Sequence, residues 1–123
     1  MSEDRPWDLY VRDMLEACER VIEFTDAMDQ AAFAADARTY YATLHNLALL
    51  GEAATHIPES VRDSHPDIPW RSIVGARNAI MHQYLGTDDN LIWVMVTRSV
   101  PDLVPLLQEL LAEHDEEDST YAT

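Results

Sequence analysis

Four long stretches of the sequence carry apolar residues stepped by three and four, and each stretch ends at a turn signal. That spacing lays an apolar stripe along one side of an α-helix and is incompatible with a strand's two-residue alternation. From Pro6 to Met28 the series Tyr10, Met14, Ala17, Val21, Phe24, Met28 runs beside Val11, Leu15, Cys18, Ile22. Two parallel series make a stripe broad enough to face a core. A second helix is predicted over Asp36–Ile57, apolar through Tyr40, Tyr41, Leu44, Leu47, Ala48, Leu50, Ala54 and Ile57. The connector between them, Asp29–Asp36, has room for a short turn around Phe33. Pro58, Pro66 and Pro69 bracket a polar connector before a third helix, Trp70–Tyr84, which Gly86 would terminate.

The last helical region starts near Asp88 or Asp89 as a cap and reaches about His114. Pro101 and Pro105 fall inside it. A proline removes a backbone donor and crowds the preceding turn, so a kink or break is predicted near Val100. Alternation, repeats and low-complexity tracts are absent from the sequence. The fold class expected is all-α: an antiparallel bundle of four to five helices, its last helix kinked or broken near Pro101. Residues 1–112 are read as one domain and residues 113–123 as an acidic, disordered tail.

Charge narrows the functional classes. The 123 residues hold eight arginines, no lysine and 23 carboxylates, for a formal net charge of −15. Nucleic-acid binders usually present a basic surface, and long-range repulsion from phosphates opposes RNA binding here. The same composition suits a salt-rich cytoplasm, where screening shortens that repulsion. Glu113, Asp115, Glu116, Glu117 and Asp118 also place part of the charge at the periphery. The single cysteine, Cys18, has no partner for an internal disulfide, and its apolar register predicts inert packing. His45, His56, His65 and His114 form no recognisable zinc spacing, so no metal or cofactor is expected. Trp7, Trp70 and Trp93 read as packing anchors. No basic leader and no apolar run of roughly 20 residues is seen, which leads to the expectation of a cytoplasmic protein without membrane contact.

The third helix carries the unusual chemistry. On a helical wheel, Ile73, Val74, Ile80, Met81 and Tyr84 fall within about 60° of Arg77. That puts a cation in an apolar stripe, where an unpaired charge is expensive to bury. Arg77 therefore needs a carboxylate such as Glu52, a second protomer, or a phosphate. Asn78 and His82 lie one turn apart on the flank of the stripe. Gly51, inside the second helix, costs about 1 kcal/mol relative to alanine, which signals a neighbouring backbone close by.

The run Arg77-Asn78-Ala79-Ile80-Met81-His82-Gln83-Tyr84 resembles the R-N-x-x-x-H motif of the HEPN superfamily. Tyr84 makes it similar to the R-x-x-x-x-H-x-Y form of the HepT-like family. Asn46-Leu47-Ala48-Leu49-Leu50-Gly51-Glu52-Ala53-Ala54 resembles that family's N-L-x-x-x-G-E-A-A segment. Pro66-Asp67-Ile68-Pro69-Trp70-Arg71-Ser72-Ile73-Val74-Gly75-Ala76 is similar to its P-x-I-P-W-x-x-I-x-G-x stretch. The resemblance implies a HEPN-type helical homodimer whose two motif copies line a cleft and cleave RNA without a metal. It also implies a toxin paired with an MNT-type nucleotidyltransferase antitoxin that adds AMP to the motif tyrosine. His82 would be the general acid or base. Arg77 would stabilise the phosphate, and Asn78 would orient the phosphate or His82. Tyr84 would be the site of modification. Glu52 and Asn46 are the candidates to support these groups from behind. His45 stands where the family commonly has a basic residue, and Gln83 replaces a frequent glycine. A second reading, a HEPN dimer that docks a nucleotidyltransferase or nucleotide as a scaffold without cutting RNA, fits the acidic charge.

Overall fold

A computed structural model describes the backbone at residues 5–84 and 88–122, and the side chains at 5–80 and 88–118. Seven α-helices follow in order: α1 Trp7–Phe24, α2 Gln30–Ala35, α3 Ala37–Ala54, α4 Glu59–Ser64, α5 Trp70–Tyr84, α6 Asp89–Val94 and α7 Val100–Ala122. A π-helical turn, Met95–Ser99, joins the last two. Among the described residues there is no strand, in keeping with the all-α class. None of these helices is long and apolar enough to cross a membrane.

The apolar stripes close on one another as their spacing requires. α1 and α3 form the central pair, α7 packs on α1, and α5 packs on α3. Val11, Met14 and Val21 of α1 meet Leu44 and Leu47 of α3, Ile73 and Ile80 of α5, and Leu107 and Leu110 of α7 in one buried cluster. Cys18 is fully buried there, and loss of hydration pushes its thiol up to about 12, which leaves it unreactive as expected. Trp70 is buried, with its indole N–H donating to the His65 carbonyl oxygen at 3.0 Å. Trp7 and Trp93 pack against the same cluster.

Caps explain the boundaries. α1 stops at Phe24 rather than Met28: the Thr25 hydroxyl donates back to the Val21 carbonyl oxygen at 2.8 Å, and Ala27 adopts a left-handed φ of 61°. Asp29, Asp36 and Asp88 then cap α2, α3 and α6 by accepting from Ala32, Thr39 and Leu91 amides at 2.8, 3.1 and 3.1 Å. Hydrogen bonds from the Thr39 amide and hydroxyl hold the Asp36 carboxyl below the usual carboxylate range. α4 lies in the segment read from sequence as a connector, and it buries none of its residues. Six residues without an apolar stripe leave no periodic signal.

The expected break near Pro101 is the π turn. Pro101 has no N–H for the Thr97 carbonyl, and the wider turn before it relieves the clash a proline ring makes with that carbonyl. Pro105 is tolerated within α7. The acidic stretch read as a disordered tail is instead the helical continuation of α7 through Ala122. Cross-bundle contacts tie it down: Arg12 pairs with Asp115 and His65 with Glu113, each at 2.8 Å, and Trp7 meets the His114 ring edge-on at 4.7 Å.

Candidate active site on helices α3 and α5

The site begins with a glycine. A Cβ built on Gly51 would stand 3.0 Å from the Ile73 carbonyl oxygen and 3.4 Å from the Arg77 amide nitrogen. α3 and α5 thus touch backbone to backbone at this point, as the mid-helix glycine implied. The next residue, Glu52, leaves the contact beside Arg77. Its Oε2 accepts from Arg77 Nη1 at 2.8 Å.

Arg77 was expected inside a buried stripe, and the structure corrects this. Its side chain is 61% exposed and that of Glu52 50%. The buried residues Ile73, Ala76 and Ile80 centre about 70° to one side of Arg77 around the helix. The stripe faces α3 through that side, so the guanidinium projects along the rim. An ion pair this exposed contributes about 0–1 kcal/mol to the fold. Arg77 is therefore not needed for stability, and its other donors remain available to an anion.

Behind the pair stands a stack that the sequence did not suggest. His56 Nε2 lies 3.6 Å from Glu52 Oε1. Its ring stacks on Tyr10 at 4.4 Å with 11° between the planes, and the Arg5 guanidinium lies over the other aromatic partner, 4.5 Å from the Tyr10 centroid. The i, i+4 spacing of Glu52 and His56 was the available signal. Their tertiary partner, Tyr10, comes from α1. One carboxylate is thus shared between a guanidinium of α5 and an imidazole just past α3.

Asn78 is exposed next to Arg77. The α5 backbone remains helical through Tyr84, which places residue 82 one turn beyond Asn78. The side chains of His82 and Tyr84 lie outside the described residues. Asn46 does not join the group. It is buried at 5% exposure, donates from Nδ2 to the Ala42 carbonyl oxygen at 2.9 Å, and leaves Oδ1 without a partner. Around α3 it sits about 120° from Glu52.

The arrangement presents an exposed arginine held in a carboxylate clasp, with an exposed asparagine about 100° further round the same helix. The arginine is suited to an anion that displaces the carboxylate.

Sequence comparison bears on which chemistry is meant. Residues 14–110 match the family described as Ribonuclease HepT-like. A Methanocaldococcus jannaschii protein, provisionally named an RNase, is 36% identical over 94 residues, covering 76% of this chain and 86% of its own. A Thermococcus cleftensis protein, provisionally named ribonuclease HepT, is 34% identical over 101 residues, covering 82% and 92%. A Caldanaerobacter subterraneus protein, also provisionally named an RNase, is 30% identical over 111 residues, covering 90% and 96%. No solved structure gives a significant match.

Proposed function

The chain belongs to the ribonuclease HepT-like family, and on that premise we propose that it is a metal-independent endoribonuclease. We further propose that it is the toxin of a toxin–antitoxin pair, acting on RNA in the cytoplasm and silenced when an MNT-type nucleotidyltransferase adenylylates Tyr84. The observation that carries the reading is the open Arg77, clasped by Glu52 at 2.8 Å and followed by Asn78 on the helix that continues to His82.

In the proposed reaction the phosphodiester takes the place of the Glu52 carboxylate on Arg77. His82 accepts the proton of the 2′-hydroxyl, that oxygen attacks phosphorus, and the bond to the 5′-oxygen breaks. The leaving oxygen takes up a proton from a general acid, which a second His82 would supply in a homodimer. Arg77 stabilises the added charge on the phosphoryl oxygens. The homodimer rests on the family resemblance. An apolar hollow of about 570 Å³ between α5 and α6–α7, lined by Ile73, Ala76, Leu91, Met95 and Leu103, offers it a surface. Burial of Arg77, which first suggested a second protomer, no longer argues for one.

Purified protein should cleave single-stranded RNA, and light scattering at micromolar concentration should report a dimer in low and high salt. The net charge of −15 favours one other reading, a HEPN dimer that docks a nucleotidyltransferase or nucleotide without cutting RNA. Absence of cleavage across several RNAs and salt concentrations would select it.

A further inference from the structure

Carboxylates outnumber arginines in this chain almost three to one, yet only half of the eight arginines form an ion pair with a described residue, and Arg38 and Arg98 are among those that do not. Arg5, Arg12, Arg20 and Arg77 each hold a carboxylate. Arg62 of α4 and Arg71 of α5 do not form an ion pair with any described residue, although both line one open hollow at the α4–α5 corner. Glu59 and Asp63 line the same hollow without pairing with them. The Arg62 Nε is shut off from solvent and has no acceptor. With Nε closed off, the terminal nitrogens of Arg62 are what is left to meet an anion that enters the hollow.

The register of α5 connects the hollow to the candidate active site. Arg71, Val74 and Asn78 follow at i, i+3 and i+7, which is one face of a helix, and Val74 lines the hollow. Residue 82 continues that series by one more turn. Arg71 and Asn78 are seven residues apart, roughly 10 Å along the axis. Arg77 lies about 120° round the helix from Arg71, so a strand held at Arg77 would cross from the rim over Asn78 on to this face, with a neighbouring phosphate over Arg71 and Arg62.

We propose that Arg62 and Arg71 form a second phosphate-binding site that holds the backbone of a single-stranded RNA a few nucleotides from the cleaved bond. It rests on the ribonuclease reading for its ligand, and it gives this acidic protein a local purchase on RNA that net charge does not supply.

The test measures anisotropy of labelled 2′-O-methyl RNA, which cannot be cut through its 2′-oxygen, in two lengths and over a range of salt. Cleavage of ordinary RNA is followed in parallel. Arg62→Ala with Arg71→Ala should weaken binding of the longer RNA roughly tenfold and leave the shortest bound RNA unaffected. The slope of log affinity against log salt should become shallower by about 1.4, two single-strand phosphate contacts' worth. Glu59→Gln with Asp63→Asn should tighten the longer RNA. Unchanged affinity and slope in the arginine variant overturn the proposal, as does an equal loss at both lengths, which marks a structural effect. Wild type that cleaves while these changes do nothing defeats this site alone. Wild type that binds with the expected length dependence but never cleaves defeats the ribonuclease reading alone, and failure to bind either RNA defeats both.

Discussion

Gly51 lies so close to Arg77 that a methyl group on its Cα would stand 3.4 Å from the Arg77 amide nitrogen, with the Ile73 carbonyl oxygen nearer still at 3.0 Å. The atoms it meets are backbone in a packed helix and cannot rotate away. Gly51→Ala gains about 1 kcal/mol of helix propensity, but must part α3 from α5 and should destabilise the protein by about 1–3 kcal/mol net. Gly75→Ala on the same helix pair meets nothing within 4 Å and should stabilise by about 0.5–1 kcal/mol. Urea unfolding of the two variants should move the midpoint in opposite directions.

The same contact sets the position of Glu52, whose carboxylate competes with any phosphate for Arg77. Glu52→Gln removes that competition. Because the pair is half exposed, stability should change by less than about 1 kcal/mol. RNA cleavage should show a KM lowered several-fold, most clearly at low salt. Arg77→Ala should also leave the fold intact while reducing cleavage by about 10²-fold or more. A Glu52→Gln variant with raised KM would show that the carboxylate orients Arg77 for substrate and does not restrain it.

The long helices were legible because each must bury one face, and burial writes a 3.6-residue period into the sequence. What lay beyond that period was not. α4 and the acidic end of α7 bury little, so their helicity leaves no apolar trace, and the latter is tied by Arg12–Asp115 and His65–Glu113 across the bundle. A wheel drawn for α5 alone cannot find its buried centre, because that is fixed by where α3 approaches at Gly51. Arg77 was singled out for a burial it does not have. Its carboxylate partner, Glu52, was among the alternatives the residues left open. Which arginines lack partners was only partly visible: Arg12–Asp8 and Arg20–Glu16 lie one turn apart on α1, whereas Arg77–Glu52 joins two helices.

His65 supplies a pH dependence. Burial alone would lower its pKa. The Glu113 carboxylate, 2.8 Å from Nε2, and the Val61 carbonyl, 3.1 Å from Nδ1, outweigh it and hold the pKa above the ordinary 6.5. Both partners are acceptors, so the doubly protonated ring satisfies both. A pKa raised on folding adds stability that is fully present below the unfolded value and is lost as pH rises through the folded value. Thermal stability should therefore fall as pH climbs from 6.5 through the raised pKa, and His65→Gln should flatten that part of the profile. A rise in Tm over the same window that depends on His65 would reverse the assignment.

Cleavage tests the role proposed for His82. His82→Ala should reduce the rate by about 10²-fold or more if the imidazole moves a proton in the reaction. Activity should persist in EDTA. Loss in EDTA with recovery on adding a divalent ion would assign the proton transfer to metal-bound water instead.

The proposed control of the ribonuclease turns on Tyr84. A ribonuclease acting on its own cell's RNA has to be held silent, and the proposed switch is a neighbouring nucleotidyltransferase. α5 ends at Tyr84, two residues beyond His82. An adenylyl group on the phenol would put bulk and negative charge at the end of the helix that carries Arg77, Asn78 and His82. In a protein already at −15, a further anion there opposes RNA both by occlusion and by repulsion. Co-expression with the cognate nucleotidyltransferase should give intact masses increased in steps of one AMP, and Tyr84→Phe should abolish them. The modified protein should not cleave RNA, and removal of the AMP should restore activity. Additions that survive Tyr84→Phe would move the modification elsewhere, and modified protein that cuts as fast as unmodified would separate adenylylation from control.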